Sequence, residues 1–447
     1  MNTLPDSRML YRFRYVECQL NSFRRARNRN QLDECLRSLP RDLDETYERI
    51  LCGIDETYVD DVRHVLTVLS LATRPLTASE LIDAHAVELG EVPYLDREGR
   101  SYEQDDIVEI CVGLIEIVEV DDGDGKSISI ARIAHFSVQE YLQSDHIRQQ
   151  KAAKFAIERA SANAEVAQIC LAYLLNPALS EGILDEVKLR DFPLAHFAAM
   201  HWYHYYQASQ EGKVKAGELL LRIFQNEANS FLTWVRLCEV DRPWRTMINF
   251  KIGVEDTGSP LYYASFLGLD DILRSILASD DRSSGLCNSV NAEGGFYGNA
   301  LQAASGSGHK EVVQLLLDQG AEVNAQGGFY GNALQAASGE GHKEVVQLLL
   351  DQGAEVNAQG GAYGNALQAA SFSGHKEVVQ LLLHQGAEVN AQGGAYGNAL
   401  QAASCSGHKE LIQLLLNQGA DVDAQGGKYG NARNIGGELT IHGVLFH

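Results

Sequence analysis

Apolar and polar positions alternate with a fixed beat over the last third of the chain. The string GNALQAAS begins at Gly298, Gly331, Gly364 and Gly397, each 33 residues after the last, and a fifth copy opens at Gly430 and stops after GNA. In the unit opened by Gly331, Asn332 to Ser338 predicts a short helix with Asn332 as its N-cap. Gly341 breaks the chain and His342 opens a second helix, KEVVQLLLDQ. There Val345, Leu348 and Leu349 recur at i, i+3 and i+4, one apolar stripe. Gly353 is the expected stop. The following AEVNAQGGAYG is polar and glycine-rich, as an exposed turn or hairpin is. Two short helices cannot bury their apolar faces alone, so neighbouring units must stack into a solenoid. Leu315 to Leu317 and their copies are expected in its core.

The front half has a different rhythm. Residues 1–52 read as mostly helical, with a break at Pro40. Asp61 to Ala72 predicts an apolar helix, and Pro75-Leu76-Thr77 leads into a capped helix, Ala78 to Leu89. A further helix is expected after Ile107, then two alternating strands, LIEIVEV and SISIARI, about the turn Asp121 to Gly125. Three helices and a β-ribbon make a winged-helix arrangement. Its presumed recognition helix, Ala78 to Leu89, carries Glu80, Asp83 and Glu88 and no lysine or arginine. Such a face repels phosphates, which argues against nucleic acid as a partner.

Composition narrows the class further. With 45% hydrophobic and 22% charged residues the chain is globular, and 447 residues predict several domains. A net charge of −23 again opposes polyanions. No apolar run is long enough to span a membrane, and MNTLPDSRMLYRFRY has no signal-peptide core. The eight cysteines are scattered without a CxxC pair, which suits reduced thiols and a cytoplasmic location. Candidate chemistry fails residue by residue. Gly125-Lys126-Ser127 lacks the P-loop glycine, since Val120 stands in its place. Ala131 stands where an EF-hand needs its bidentate glutamate. There is no G-x-S-x-G nucleophile elbow. His309, His342, His375 and His408 recur, but a turn-and-helix-start role explains them without a metal. No catalytic residue, metal or cofactor is expected, and the protein reads as a non-enzyme.

Differences between copies fall at few places. The residue before the hairpin tyrosine is Phe296, Phe329, Ala362, Ala395 and then Lys428. The pair after the first helix is Gly306-Ser307, Gly339-Glu340, Phe372-Ser373 and Cys405-Ser406. Asp318, Asp351, His384 and Asn417 occupy the end of the second helix. Exposed drift and partner recognition both produce this pattern. Tyr297, Tyr330, Tyr363, Tyr396 and Tyr429 form a column that either offers contact area or staples neighbouring hairpins.

The unit G-H-x-E-V-V-x-L-L-L-x-x-G-A-x-V-N resembles the ankyrin repeat over four full copies. Ser259 to Ala264 with Gly268 to Leu273 resembles a diverged first repeat. Where that family shows T-P-L-H, this chain has Asn-Ala-Leu-Gln every time, so the family's Thr–His bonding is not expected. The resemblance implies that hairpin tips and first-helix ends line a surface that grips a partner protein: Phe296, Tyr297, Gly306, Ser307, Phe329, Tyr330, Gly339, Glu340, Ala362, Tyr363, Phe372, Ser373, Ala395, Tyr396, Cys405 and Ser406.

The stretch LRSLPRDLDETYERIL, the winged helix, and the motif from Ile133 to Leu142 resemble NACHT-type signal-transducing ATPases, nearest to fungal NOD-like receptors that end in ankyrin repeats. The resemblance implies a mainly α fold: a winged-helix domain and helical linker followed by an ankyrin-repeat α-solenoid. It divides the chain into a helical remnant (1–52), winged helix (53–147), helical linker (148–255), ankyrin repeats (256–430) and an irregular tail or truncated repeat (431–447). It also implies that His135 takes the place of the histidine that touches a bound nucleotide's β-phosphate. The P-loop core expected before residue 1 is absent, so His135 has that role only with an NTPase domain supplied in trans. The resulting expectation is a non-catalytic interaction module, the sensor or regulatory part of a receptor in non-self recognition. The alternatives are a subunit that completes the ATPase of a NACHT-bearing partner, or a truncated gene product without its own role.

Overall fold

The computed structural model describes residues 42–430, except 98–101, 122, 124, 126, 211–212, 226–228, 246–247, 254–255, 279–288 and 429. The expectations placed on 1–41, on Tyr429 and on 431–447 lie outside the described residues. The chain divides into two compact units, Met1–Leu219 and Leu220–His447.

In the first unit, α1 (Leu43–Cys52) starts at Asp42, whose carboxylate accepts from Glu45 N–H at 2.9 Å. It is followed by α2 (Val59–Leu71), β1 (Leu76–Thr77), α3 (Ala78–His85), the short pair β2 (Val87–Glu88) and β3 (Tyr94–Leu95), and α4 (Gln104–Ile110). The wing is β4 (Ile115–Asp121) and β5 (Ser127–Ile133). These form an antiparallel sheet in the order β1-β5-β4, with Ile115 opposite Ile133 and Leu76 opposite Ala131. Thr77 and Glu80 close a capping box on α3: Glu80 N–H donates to Thr77 Oγ1 and Thr77 N–H to Glu80 Oε2.

The winged helix is therefore present, with one correction to its reading. The helix from Ala78 ends at His85, and Val87–Glu88 is a strand. The helix that immediately precedes the wing is α4, with Asp105, Asp106 and Glu109 and no basic residue. The position that meets DNA in winged helices is thus acidic, which strengthens the argument against phosphate contact. Beyond the wing come α5 (Phe136–Gln143), α6 (Arg159–Leu174), α7 (Pro177–Ser180), α8 (Glu186–Asp191) and α9 (Ala195–Ala208). The long helices α6 and α9 pack along each other, with Tyr173, Trp202, Tyr205 and Tyr206 fully buried.

The second unit opens on the end of α10 (Lys213–Phe224) and on α11 (Ser230–Leu237). Phe224, Phe231 and Trp234 meet there, and Tyr263 lies 5.4 Å from Trp234. The expected diverged repeat is α12 (Pro260–Phe266) and α13 (Asp270–Ala278), capped by Ser259 Oγ accepting from Tyr262 N–H. Four helix pairs follow: α14 (Ala300–Gly306) and α15 (Lys310–Asp318), α16 (Ala333–Glu340) and α17 (Lys343–Asp351), α18 (Ala366–Ser373) and α19 (Lys376–His384), α20 (Ala399–Cys405) and α21 (Lys409–Asn417). Each first helix stacks on the next, so the core runs as a continuous row. The apolar stripe differs from expectation by one position. Val345, Val346 and Leu349 are buried, while Leu348 and Leu350 are half-buried. Of the expected core leucines, Leu315 and Leu316 are buried and Leu317 is not.

Candidate functional site: the finger and first-helix face of the repeats

Three polar ladders hold the repeats in register. Gln335 Nε2 donates to the carbonyl oxygens of Ala358, Gly360 and Gly364 in the following repeat, at 3.3, 3.3 and 3.0 Å. Gln302, Gln368 and Gln401 do the same in the other three repeats. This is what Asn-Ala-Leu-Gln supplies in place of T-P-L-H. Asparagine caps the helix, as Asn332 Oδ1 does by accepting from Gln335 N–H at 2.8 Å, and glutamine clamps the next hairpin. The opening glycine belongs to the same device. A Cβ on Gly331, at φ +104°, would fall 2.2 Å from Gln335 Oε1.

The histidines make the second ladder. His342 Nε2 donates to the Gly306 carbonyl at 3.0 Å and His375 to that of Gly339 at 3.1 Å, each reaching back one repeat. Nε2 is thereby engaged in an inter-repeat bond, and among the described residues no group of three or more His, Cys, Asp or Glu gathers for a metal. The third ladder is asparagine. Asn324 accepts from Glu355 N–H and donates to the Gly353 carbonyl, and Asn291, Asn357 and Asn390 repeat the pattern. In the sequence these asparagines look like ordinary turn residues, and their identical 33-residue spacing is the one signal of the ladder.

On this frame the hairpin tips join backbone to backbone. Phe329 N–H donates to the Phe296 carbonyl, Ala362 to Phe329, Ala395 to Ala362 and Lys428 to Ala395, all at 2.9–3.0 Å. Behind the tips the tyrosines stack. Tyr297–Tyr330, Tyr330–Tyr363 and Tyr363–Tyr396 have ring centroids 5.6, 5.7 and 6.0 Å apart and near-parallel planes. Tyr297 and Tyr330 are buried and Tyr363 and Tyr396 half-buried, so the described part of the column packs repeat against repeat. Burial, with the Glu340 carboxylate accepting its hydrogen bond, pushes the Tyr330 phenol well above its ordinary range.

The variable positions divide into two groups. Gly306 and Gly339 are buried against the rings of Tyr297 and Tyr330. Phe372 is half-buried between Tyr363 and Tyr396, at 5.3 and 4.6 Å, and acts as a wedge. Phe329, Glu340, Ser373 and Ala395 are exposed, and Phe296, Ser307, Ala362, Cys405 and Ser406 are half-buried. These nine keep at least part of their side chain open to solvent.

The N-terminal end of this face holds two residues that sequence reading missed. Asp241, 3% exposed, accepts from Phe296 N–H at 2.9 Å and from Tyr262 OH at 2.7 Å. It thereby ends the tip ladder where no earlier hairpin supplies a carbonyl. Trp244 lies edge-on to Phe296 at 5.0 Å, and Phe296 stacks on Phe329 at 5.0 Å. Both residues precede the first repeat, outside any periodic pattern, so only contacts reveal them.

His135 belongs to the first unit and is the N-cap of α5. Its Nδ1 accepts from Ser137 N–H at 3.2 Å and lies 2.6 Å from Ser137 Oγ, which in turn meets Tyr47 OH at 2.7 Å. An accepting Nδ1 places the ring proton on Nε2. The capping bond explains the histidine without a ligand.

Residues 47–158 match the winged helix domain of GPI inositol-deacylase, and residues 261–360, 301–393 and 361–426 match ankyrin repeats. The class is therefore an ankyrin-repeat protein with a winged helix of that type, and ankyrin repeats are protein-binding, non-catalytic elements. The chain is 58% identical over 318 residues to the azaphilone pigments biosynthesis cluster protein L of Monascus ruber, covering 71% of this chain and 67% of that protein. It belongs to the same family as that fungal protein. Among the described residues no helix is long and apolar enough to cross a membrane.

Proposed function

We propose that this protein is a non-catalytic capture module, in which the repeats bind a partner protein and the winged helix and helical segments pass the event on, as the sensor part of a NOD-like receptor does in non-self recognition. The boundaries 53–147, 148–255 and 256–430 belong to that proposal, as does a cytoplasmic location. The supporting observation is the division of labour within the repeats. Glutamine, histidine and asparagine ladders are the same in every unit, while the reachable side chains on the tip and first-helix face differ from unit to unit. A rigid frame that presents unlike side chains suits recognition of one protein surface. The test compares a partner captured by the full chain with its capture by an Ala395→Arg variant, altered on that face, and a Lys343→Ala variant, altered on α17. Capture lost only in the first supports the proposal.

A second reading concerns His135. In that reading His135 meets a phosphate brought by an NTPase domain supplied in trans. Nothing in the described residues cradles a nucleotide, so ATP turnover by the pure chain should equal that of a His135→Ala control. The name of the Monascus ruber protein refers to a pigment biosynthesis cluster. Carried to this chain, it makes a component of such a cluster the first partner to try.

A further inference from the structure

The N-terminal end of the repeat face has its own chemistry. Trp244, Phe296 and Phe329 form an unbroken row of three rings, each ring 5.0 Å from the next. It is open to solvent: Trp244 is 61% and Phe329 40% exposed, among the largest exposures of any aromatic side chain described. Exposed rings of this size in a row mark a contact surface rather than a fold requirement. Phe329 sits edge-on to Tyr330 at 5.2 Å, and Tyr330 OH donates to the exposed Glu340, so a carboxylate lies one ring beyond Phe329.

Charge decides what such a row can take. From residue 291 to 430 the chain has 13 acidic and 5 basic side chains. Four of the five, Lys310, Lys343, Lys376 and Lys409, open second helices, and the fifth, Lys428, lies at the far end of the tip ladder. Next to Trp244 in the chain, Arg242 and Arg245 are both bonded to the largely buried Glu239 at 3.1 Å. Among the described residues, the ring row thus faces solvent with the exposed Glu340 one ring away, and the two arginines next to Trp244 in sequence are already paired. Aromatic faces and a carboxylate attract the same group, a planar cation with an apolar stem.

We infer that the Trp244–Phe296–Phe329 row docks an arginine-bearing apolar segment of the partner protein, with the guanidinium over the rings and toward Glu340. The inference rests on the proposed reading of the repeats as a capture surface and adds to it the place and chemistry of the anchor.

The test uses the full chain and a displayed library of random dodecapeptides. Selected peptides should carry arginine next to leucine, phenylalanine or tryptophan. Trp244→Ala and Phe329→Ala should each weaken a selected synthetic peptide by about fivefold or more, with melting unchanged. Phe329→Lys gives a second, charge-based check on the same spot. Replacing the peptide's arginine by citrulline should cost about tenfold against the wild-type chain and a smaller loss, about threefold, against Glu340→Gln, which keeps the rings. Peptides without a basic residue, or indifference to both ring variants, would overturn the inference. If Ala395→Arg still abolishes binding in that case, the capture reading stands and only the anchor is wrong. If no variant on the face matters, both are wrong.

Discussion

Gln335 is 1% exposed and donates to three carbonyl oxygens of the following repeat. Truncation strips those carbonyls of a buried donor and opens a cavity. Gln335→Ala should therefore cost about 2–4 kcal/mol in urea unfolding. In the first unit His64 makes a prediction of a different kind. Burial, then the neighbouring His85, lowers its pKa from 6.5 to about 4, although Glu165 Oε1 lies 3.5 Å from Nδ1. Burial outweighs that carboxylate, and the neutral ring bonds the Ala84 carbonyl through Nε2. Between pH 6.5 and 4 the unfolded chain takes up a proton that the folded one refuses. This contribution is complete above about pH 7 and is lost as pH falls toward 4, on the order of 3 kcal/mol in all. His64→Gln should flatten that part of the stability–pH curve measured by denaturant titration.

At the scale of elements, a first helix and its hairpin carry two kinds of aromatic residue that look alike in sequence. Phe372 is wedged between two tyrosines of adjacent repeats, whereas Phe329 stands at a tip with one ring face covered by Phe296. Phe372→Ala should lower stability by about 1–3 kcal/mol, and Phe329→Ala by under about 1 kcal/mol, in parallel thermal melts. Sequence alone grouped these phenylalanines, because both sit where copies differ. Periodicity identified the helix pairs, the Asn332 cap and the glycine stops, since each depends on residues within one turn. It could not separate Leu348 from Val346, because which face is covered depends on the neighbouring repeat. Nor could it find the Gln335 clamp or the Asp241 cap, whose bonds join residues 20 or more positions apart. The wing was legible from alternation, while the recognition role fell to α3 rather than α4 because α3 has the stronger sequence cap and α4 is short. With Asp105, Asp106 and Glu109 on α4, duplex DNA should not be retained in a gel shift even at about 50 mM salt.

Over the whole molecule, identical ladders make a stack whose stability is shared between neighbours, and unlike tips make one end of it chemically distinct from the other. The aromatic row with Glu340 lies toward the N-terminal end, the small residues Ala362 and Ala395 in the middle, and Lys428 at the last described tip. A partner therefore meets a directional surface. The most direct measurement is the dissociation constant of a captured protein for three chains: wild type, Ala395→Arg and Lys343→Ala. Recognition by the tip and first-helix face predicts about tenfold or greater weakening for Ala395→Arg and less than about twofold for Lys343→Ala. Equal affinity for wild type and Ala395→Arg, with the loss falling on Lys343→Ala, would contradict it.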